Sequence, residues 1–400
     1  MSVLYLSYDG MLEPLGQSQV LAYLERLAVA RSIHLISFEK PQDWADTAKR
    51  EPIAERIRAA GIHWHPRRYH QRPSALATAY DIGIGTFTAL WLTLRYRVRV
   101  LHARSDVAAL MAWIVKSLTG AKLLFDMRGF WADERVDGGL WPRDGRMYRV
   151  AKWFERRFLL SADHVVSLTH AAVRVMEAFP WLRGHMPPIT VIPTCADLVR
   201  FRPMLVESEG GVLQRGFVLG HVGSVGTWQL FDEVIACFIR LRAMHGEARL
   251  LIVNRNEHLY IRERLFAAGV ADDTFELIAV EHADVPAQMA RMTAGVFFNI
   301  PALSRQASAP TKLGEFLGCG IPCLSNTGYG DVSGVLENEK VGVAVENFDE
   351  ATLAAGLQRL VALSQQPDIA KCCVAVARSH FSLEQGVARY DAIYRELTGC

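Results

Sequence analysis

Short apolar runs alternate along the chain with stretches of helical spacing. "VLYLSY" (3–8) reads as a β-strand, and in "QSQVLAYLERLA" (17–28) Val20, Leu21, Leu24 and Leu27 recur on one helical face. "IHLISF" (33–38) is the next strand, followed by a helix around 46–60 that ends at Gly61. "VRVLHA" (98–103), "KLLFDM" (122–127), "HVVSLT" (164–169) and "ITVIPT" (189–194) continue the series, with helices expected near 106–118 and 144–161. The pattern then restarts. "FVLGHVG" (217–223), "ARLLIV" (248–253), "FELIAV" (275–280), "AGVFFNI" (294–300) and "PCLSN" (322–326) alternate with helices near 229–244, 257–268 and 284–292 and a short helix opening at Pro310. Strands alternating with helices predict parallel sheets covered on both faces.

Two consecutive series of similar size predict an α/β architecture of two facing, Rossmann-like doubly wound domains. In such sheets ligands bind beyond the carboxyl ends of the strands, here in an interdomain cleft. A length of 400 residues agrees, being too long for one ordinary core. The polar stretch "VESEGGVLQRG" (206–216) reads as the linker, giving an N-terminal domain 1–205 and a C-terminal domain 206–380. The last helix, "LEQGVARYDAIYREL" (383–397) within 381–400, is expected to cross back to the first domain.

Half the residues are hydrophobic and 22% are charged, an ordered composition without a low-complexity tract. Seven cysteines with no CxxC pair argue for reduced thiols in a cytosolic setting. The opening "MSVLYLSYDG" has no basic region before its apolar run and reads as a first strand, not a signal peptide. The longest apolar run, "IGIGTFTALWLTL" (82–94), has 13 residues against the roughly 18–20 that spanning requires. It is framed by Arg67, Arg68 and Arg72 on one side and Arg95, Arg97 and Arg99 on the other. Two readings stand: a buried helix, or one that dips into the membrane interface with its arginines on anionic head groups. Residues 1–200 carry 27 Lys and Arg against 19 Asp and Glu, and the remainder 17 against 23. A basic first half favours an anionic surface or substrate. Nucleic acid is not expected, because no compact basic patch is interleaved with aromatics.

Three segments carry candidate chemistry. The loop "SYDGMLEPLGQSQ" (7–19) lacks a dinucleotide-binding GxGxxG but holds Gly10 and Gly16, the latter just before a helix expected from Gln17. A glycine there lets N–H groups and the helix dipole approach an anion; a plain turn glycine is the other reading. "LGHVGSVGTW" (219–228) repeats the arrangement with Gly223, Ser224, Val225 and Gly226. One diphosphate held between two such strand ends accounts for both. "APTKLGEFLGCGIPC" (309–323) sets Lys312 and Glu315 one turn apart and stops at Gly320 and Pro322. As a surface ion pair this spacing contributes only about 0.2–0.5 kcal/mol.

Four stretches, "SYDGMLEPLGQSQVLAYLERLA", "LLFDMRGFWADERVDGGLW", "HVGSVGTW" and "PTKLGEFLGCGIP", together resemble bacterial glycosyltransferase family 4, of the GT-B fold. The resemblance implies a retaining hexosyltransferase-type enzyme that takes a sugar from a UDP- or GDP-sugar. No metal or other cofactor is expected. It implies a lipid-linked (polyprenyl) or other envelope glycan as acceptor, polysaccharide biosynthesis, and a cytoplasmic protein peripherally bound to the inner membrane. Glu315, Gly320 and Pro322 fit the family's closing pattern, so Glu315 is implied to hold the donor ribose. The family's earlier Glu falls on Ala307, and the Arg and Lys usual after the second glycine loop are missing, leaving Lys312 to supply that charge.

With Ser308 or Ala309 as cap, Pro310 falls in the first turn and the N–H groups of Thr311, Lys312 and Leu313 face an anion. Lys312 would stabilise charge growing on the leaving diphosphate. In the first half, Asp126, Arg128, Asp133, Glu134 and Arg135 follow a strand end, as do His102 and Arg104. Many relatives place a donor-contacting histidine there; 121–141 has none, which leaves Asp126 or Arg128 for the role. Arg128 also suits a phosphate, although a structural Arg–Asp network is the rival reading. Asn254, Arg255, Glu281 and His282 follow strands where the nucleotide base sits in this fold. "HWH" (63–65) alternates on a strand and lacks a third ligand, so it is not read as a metal pair. Two other functions remain open: a nucleotide-sugar epimerase of the same fold, and a degenerate scaffold that binds no nucleotide.

Overall fold

The computed structural model describes residues 2–72, 74–204 and 216–399. It forms two compact units, Met1–Pro193 with Glu384–Cys400, and Thr194–Leu383. The expected linker 206–216 lies outside the described residues except for Gly216. The division falls ahead of residue 206 because 194–204 pack within the second unit. There the Ala196 N–H donates to the Phe381 carbonyl at 2.8 Å, and Phe201 is buried in the core with Phe297 and Phe316.

The first unit holds a seven-stranded sheet in the order β3-β2-β1-β4-β5-β6-β7. Its strands are β1 (Ser2–Ser7), β2 (Ser32–Glu39), β3 (His63–Arg68), β4 (Val100–Arg104), β5 (Lys122–Met127), β6 (His164–Ser167) and β7 (Ile189–Val191). The second unit holds six strands in the order β10-β9-β8-β11-β12-β13. These are β8 (Val218–Val222), β9 (Arg249–Val253), β10 (Phe275–Ile278), β11 (Ala294–Val296), β12 (Cys323–Asn326) and β13 (Gly342–Val345). The pairings of both sheets are parallel. Helices cover both faces, so central strands read as unbroken apolar runs: Val3, Leu4, Tyr5 and Leu6 are all buried.

Right-handed crossovers put the helices that follow β3, β4 and β5 on one face of the first sheet. These are Ser74–Tyr96, Ser105–Thr119 and Arg146–Ser161, each packed on the next. The first of them extends beyond the 82–94 run at both ends. The last helix, Leu383–Thr398, is keyed to the first unit. Asp391 takes Arg31 Nε at 2.6 Å, Tyr390 meets Tyr23 edge-on at 5.7 Å, and Arg389 donates to the Val191 carbonyl.

One local expectation is corrected by the first helix. It begins at Pro14, not Gln17, running through Pro14–Gly16, a π-turn at Gln17–Leu21, and Ala22–Leu27. Proline at the first helical position sets the start earlier than the apolar spacing shows, since its missing N–H has no partner to lose there.

Candidate active site

At the carboxyl ends of β1, β4 and β5, charged side chains converge. The register pairs Ser7 with Arg104 and Arg104 with Asp126. Asp126 is fully buried, and Arg128 (3.5 Å), His102 (3.6 Å) and Arg104 (3.9 Å) surround its carboxylate. Burial pushes the Asp126 pKa up, but Arg128, His102 and Arg104 outweigh it and hold the group below the usual carboxylate range. Burial lowers His102, whose Nδ1 lies 2.6 Å from the Tyr394 hydroxyl on the last helix. Arg104 also reaches Asp9 at 3.3 Å. Asp126 is therefore a fixed anion that braces strand ends and the last helix. This corrects the expectation of a catalytic Asp126: it is enclosed and has no proton to exchange near neutrality. Arg128 keeps part of its side chain accessible.

Asp133, Glu134 and Arg135, in the helix Trp131–Asp137, do not join that cluster as a charged lining. Asp133 is buried and takes Tyr148 Oη at 2.8 Å and Lys152 Nζ at 2.9 Å. A Glu134 oxygen lies 2.7 Å from where a Cβ on Gly129 would stand, and Arg135 lies over the Trp131 ring.

The two glycine-bearing loops are each closed by a carboxylate of the chain itself. In the first, Glu39, buried at the end of β2, accepts the Met11 and Leu12 N–H groups at 2.8 and 3.2 Å. Gly16 lies inside the helix with an ordinary helical φ of −60°. A Cβ there would come within 2.1 Å of the Gly10 carbonyl oxygen, so close packing alone requires glycine. The Gln17 N–H donates to the Glu13 carbonyl, and its side-chain amide to that of Leu12.

In the second loop Glu257 accepts the Val225 N–H at 3.1 Å and the Asn254 amide at 2.8 Å, while Asn254 also donates to the Gly223 carbonyl. The Gly223 N–H goes to Val253. Ser224 and Gly226 are left as the loop's remaining N–H donors. The loop does not run straight into a helix as expected; Thr227–Leu230 intervene before Phe231–Met244. Sequence reasoning missed Glu39 and Glu257. The signal for each was a lone carboxylate at or just after a strand end, in "ISFE" and "VNRNE".

Beside that second loop stands the helix Thr311–Gly318. Its small residues have a packing cause. A side chain at Gly314 would strike Phe381, and one at Gly318 would strike Phe201 and Leu198. Phe316 stacks on Phe297 in the core at 6.3 Å. Pro310 is the N-cap, not a first-turn residue, with extended ψ of 122°. Leu313 is buried and its N–H donates to the Pro310 carbonyl at 3.2 Å, so Leu313 is corrected as an anion donor. Thr311 and Lys312 keep the amino-end N–H groups.

Lys312 reaches back over the glycine loop. Its Nζ is 3.4 Å from Gln229 Oε1 and 5.9 Å from the Phe297 ring centre. It would lie 3.5 Å from a Cβ on Gly223, whose φ of +95° already excludes ordinary side chains. Burial pushes Lys312 down to about 8, against the pull of Glu315 and Glu257. His221, buried at β8, donates from Nδ1 to the Val296 carbonyl (3.1 Å) and is pushed down to about 3 by burial and by Lys312, so it is neutral. Glu315 is largely buried with His282 at 3.8 Å, and His282 in turn meets Arg200. Arg255 and Glu281 face each other at 2.9 Å at the open rim. Ala307, where the family has its earlier Glu, is buried in the turn Ser304–Ala307; beside it Arg305 lies over Trp228 at 5.0 Å. Thus Gly223, Lys312 and Glu315 come together in one unit, with Arg255 and Glu281 at the same sheet edge.

Arg67 donates from Nε to Thr88 at 3.0 Å, tying β3 to the helix above it. Arg68, Arg95 and Arg97 are exposed. Among the described residues no group of His, Cys, Asp and Glu can hold a metal ion, and no helix is long and apolar enough to cross a membrane.

Residues 17–195 match the model of the glycosyl transferase 4-like domain. No curated protein matches the sequence. Sucrose-phosphate synthase from Thermosynechococcus elongatus superposes at a TM-score of 0.74 with 14% identity, over 100% of this chain and 99% of that one. HepE of Anabaena, solved in complex with UDP, gives 0.68 at 14% identity over 99% and 100% of the two chains. The lipopolysaccharide outer core galactosyltransferase WaaB gives 0.65 at 12% over 99% and 100%. The fold is GT-B. The domain match covers most of the first unit, and the likeness in fold extends over the whole chain.

Proposed function

We propose that the protein is a retaining glycosyltransferase that moves a hexose from a UDP- or GDP-sugar onto a lipid-linked or other envelope glycan, without a metal. The second unit binds the donor and the basic first unit the acceptor, at the cytoplasmic face of the membrane. The observation that carries this is the Lys312 ammonium held over Gly223 beside Glu315. HepE, a neighbour in fold, has been solved with UDP-glucose, which supports a nucleotide-sugar as donor.

In this reading the diphosphate lies against Gly223, Ser224 and the N–H groups of Thr311 and Lys312, and the ribose hydroxyls donate to Glu315. Arg255 and Glu281 border the base. The bond from the sugar's anomeric carbon to the diphosphate oxygen breaks and its electron pair stays on the phosphate. The acceptor oxygen bonds to that carbon on the same face, and its proton passes to the leaving phosphate. Lys312 and the helix amino end are set before the charge develops, so they stabilise the transition state more than the bound donor. Arg128 neutralises an acceptor phosphate.

A screen of nucleotide-sugars with released nucleotide as the readout tests the reading. Release that depends on an acceptor glycan, and is lost in Lys312→Ala, is the expected result. Product from the nucleotide-sugar alone would show an epimerase, and no thermal shift with UDP or GDP would show a scaffold that binds neither.

A further inference from the structure

We propose that the outer faces of the helices Ser74–Tyr96 and Arg146–Ser161 form one surface that docks on an anionic lipid bilayer. The first helix turns a continuous apolar stripe outward. Leu76, Tyr80, Ile84, Phe87, Trp91 and Leu94 fall at successive steps of three or four residues, and Leu76, Phe87 and Leu94 are 72%, 71% and 65% exposed. At helical rise the stripe is about 27 Å long. Single exposed apolar residues are ordinary, but a contiguous apolar stripe of this length on a helix is a contact surface.

The second helix was expected only as part of the sheet's cover. It presents Met147, Val150, Trp153 and Leu160 to solvent among Arg146, Arg149 and Arg157. Between the two lies Ser105–Thr119, packed on both, with Leu118 exposed. The three helices share one face of the sheet, so both apolar faces belong to the same side of the unit.

Charge decides the occupant. Each helix contains a single carboxylate, and both are withdrawn from the surface. Asp81 is buried and bonded to Tyr8 and His70; Glu155 is buried against Lys152. The exposed charges are guanidinium groups, with Arg72, Arg95, Arg97 and Arg99 at the ends of the first helix. Apolar and aromatic side chains ringed by cations, with no exposed carboxylate on either helix, complement the acyl boundary and phosphate headgroups of an anionic leaflet. Trp91 and Trp153 are the side-chain type that settles at headgroup depth. Neither helix crosses a bilayer, so both lie in its plane.

The surface rests on the transfer reading in one respect only: it would bring the acceptor unit to a lipid-linked substrate. Flotation of the full chain with vesicles tests it directly. Equimolar phosphatidylglycerol and phosphatidylcholine should capture the protein, and pure phosphatidylcholine should capture much less. Phe87→Asp with Trp91→Asp should abolish capture. Arg149→Gln, on the other helix, should weaken it by about fivefold, the effect of one surface cation. Thermal shift by UDP serves as the independent control. Variants that still bind UDP but lose vesicles support the surface; a wild-type chain that binds UDP and ignores anionic vesicles overturns it while leaving the transfer reading intact. A stable dimer that Phe87→Asp dissociates would also overturn it, since a second copy would then be the occupant.

Discussion

The carboxyl ends of the two sheets are built from the same strand–helix units but treat charge in opposite ways. In the first unit Asp126, fully buried, is a carboxylate set among Arg104, Arg128 and His102. In the second, Lys312 stands over a glycine with a carbonyl oxygen and an aromatic ring for company, and its proton is loosened by burial. A closed set of charges stabilises a fold. A cation held without a full countercharge is available to a ligand. The contrast teaches that perturbed titration alone does not mark a catalytic group; what matters is whether the perturbing partners already satisfy it.

The largest effect should fall on the closed cluster. Asp126→Ala leaves Arg128 without its buried countercharge and Arg104 with Asp9 alone, and losing one partner of such a set costs about 3–5 kcal/mol. Denaturant unfolding of the first unit's transition checks this, and donor binding by the second unit should survive in the folded fraction. Because the Asp126 pKa is depressed in the folded state, its contribution is present above the unfolded carboxylate pKa near 3.8 and is lost as pH falls below it. An Asp126→Ala protein that unfolds like the wild type but has lost nucleotide binding would reverse the comparison.

Next comes Lys312→Ala, which should lower kcat by about 10²–10³ while leaving the melting temperature close to the wild type. The pH dependence sharpens this. Lys312 titrates near 8, so kcat/KM for the donor should fall as pH rises through about 8, and the variant should lack that limb. Stability moves the other way. A lysine with a lowered folded pKa binds fewer protons folded than unfolded between about 8 and 10.5, so stability rises with pH across that window. Opposite slopes for activity and stability in one pH range identify a single strained cation.

Much of the fold was legible because the two sheets are buried on both faces. Continuous apolar strands such as "VLYLSY" and "ARLLIV" have no other stable place, and alternating helices fixed their parallel sense. The second-unit site was partly legible, since Lys312 and Glu315 share one helix and Gly223 ends a strand. The closure of the loops was not. Glu39 reaches Met11 and Leu12 across 28 and 27 residues, and such reach depends on strand order, which local spacing does not carry. Gly16 is a related case: its close approach to the Gly10 carbonyl is a packing contact that its place in the sequence does not show. Likewise the bond from Arg67 to Thr88 joins residues 21 positions apart and has no local signature.

The two glycines extend the comparison at smaller magnitude. Gly16→Ala forces a Cβ against the Gly10 carbonyl, and overpacking of this kind costs about 1–3 kcal/mol. Gly223→Ala puts a side chain at a φ of +95°, a strain of about 1–2 kcal/mol, and sets a methyl beside the Lys312 ammonium. Both should destabilise, but only Gly223→Ala should also weaken UDP binding. Thermal melting with and without UDP separates the two: equal ligand shifts would mean that the second loop, like the first, is merely structural.

The smallest effect belongs to Arg255 and Glu281. Both are well exposed, at 58% and 71% of their side chains, and an ion pair in such a place contributes about 0.2–1 kcal/mol. Glu281→Ala should therefore leave stability nearly unchanged. Its consequence lies in recognition, because the pair sits at the ends of β9 and β10, where the donor's base lies in the proposed reading. Removing the carboxylate frees the Arg255 guanidinium, which then presents donors to a base carbonyl without competition. The ratio of UDP to GDP affinity should shift by a few-fold while the affinity for inorganic pyrophosphate stays constant. If both nucleotides and pyrophosphate respond alike, the pair acts only through its charge on the phosphates, and the base lies elsewhere on that sheet edge.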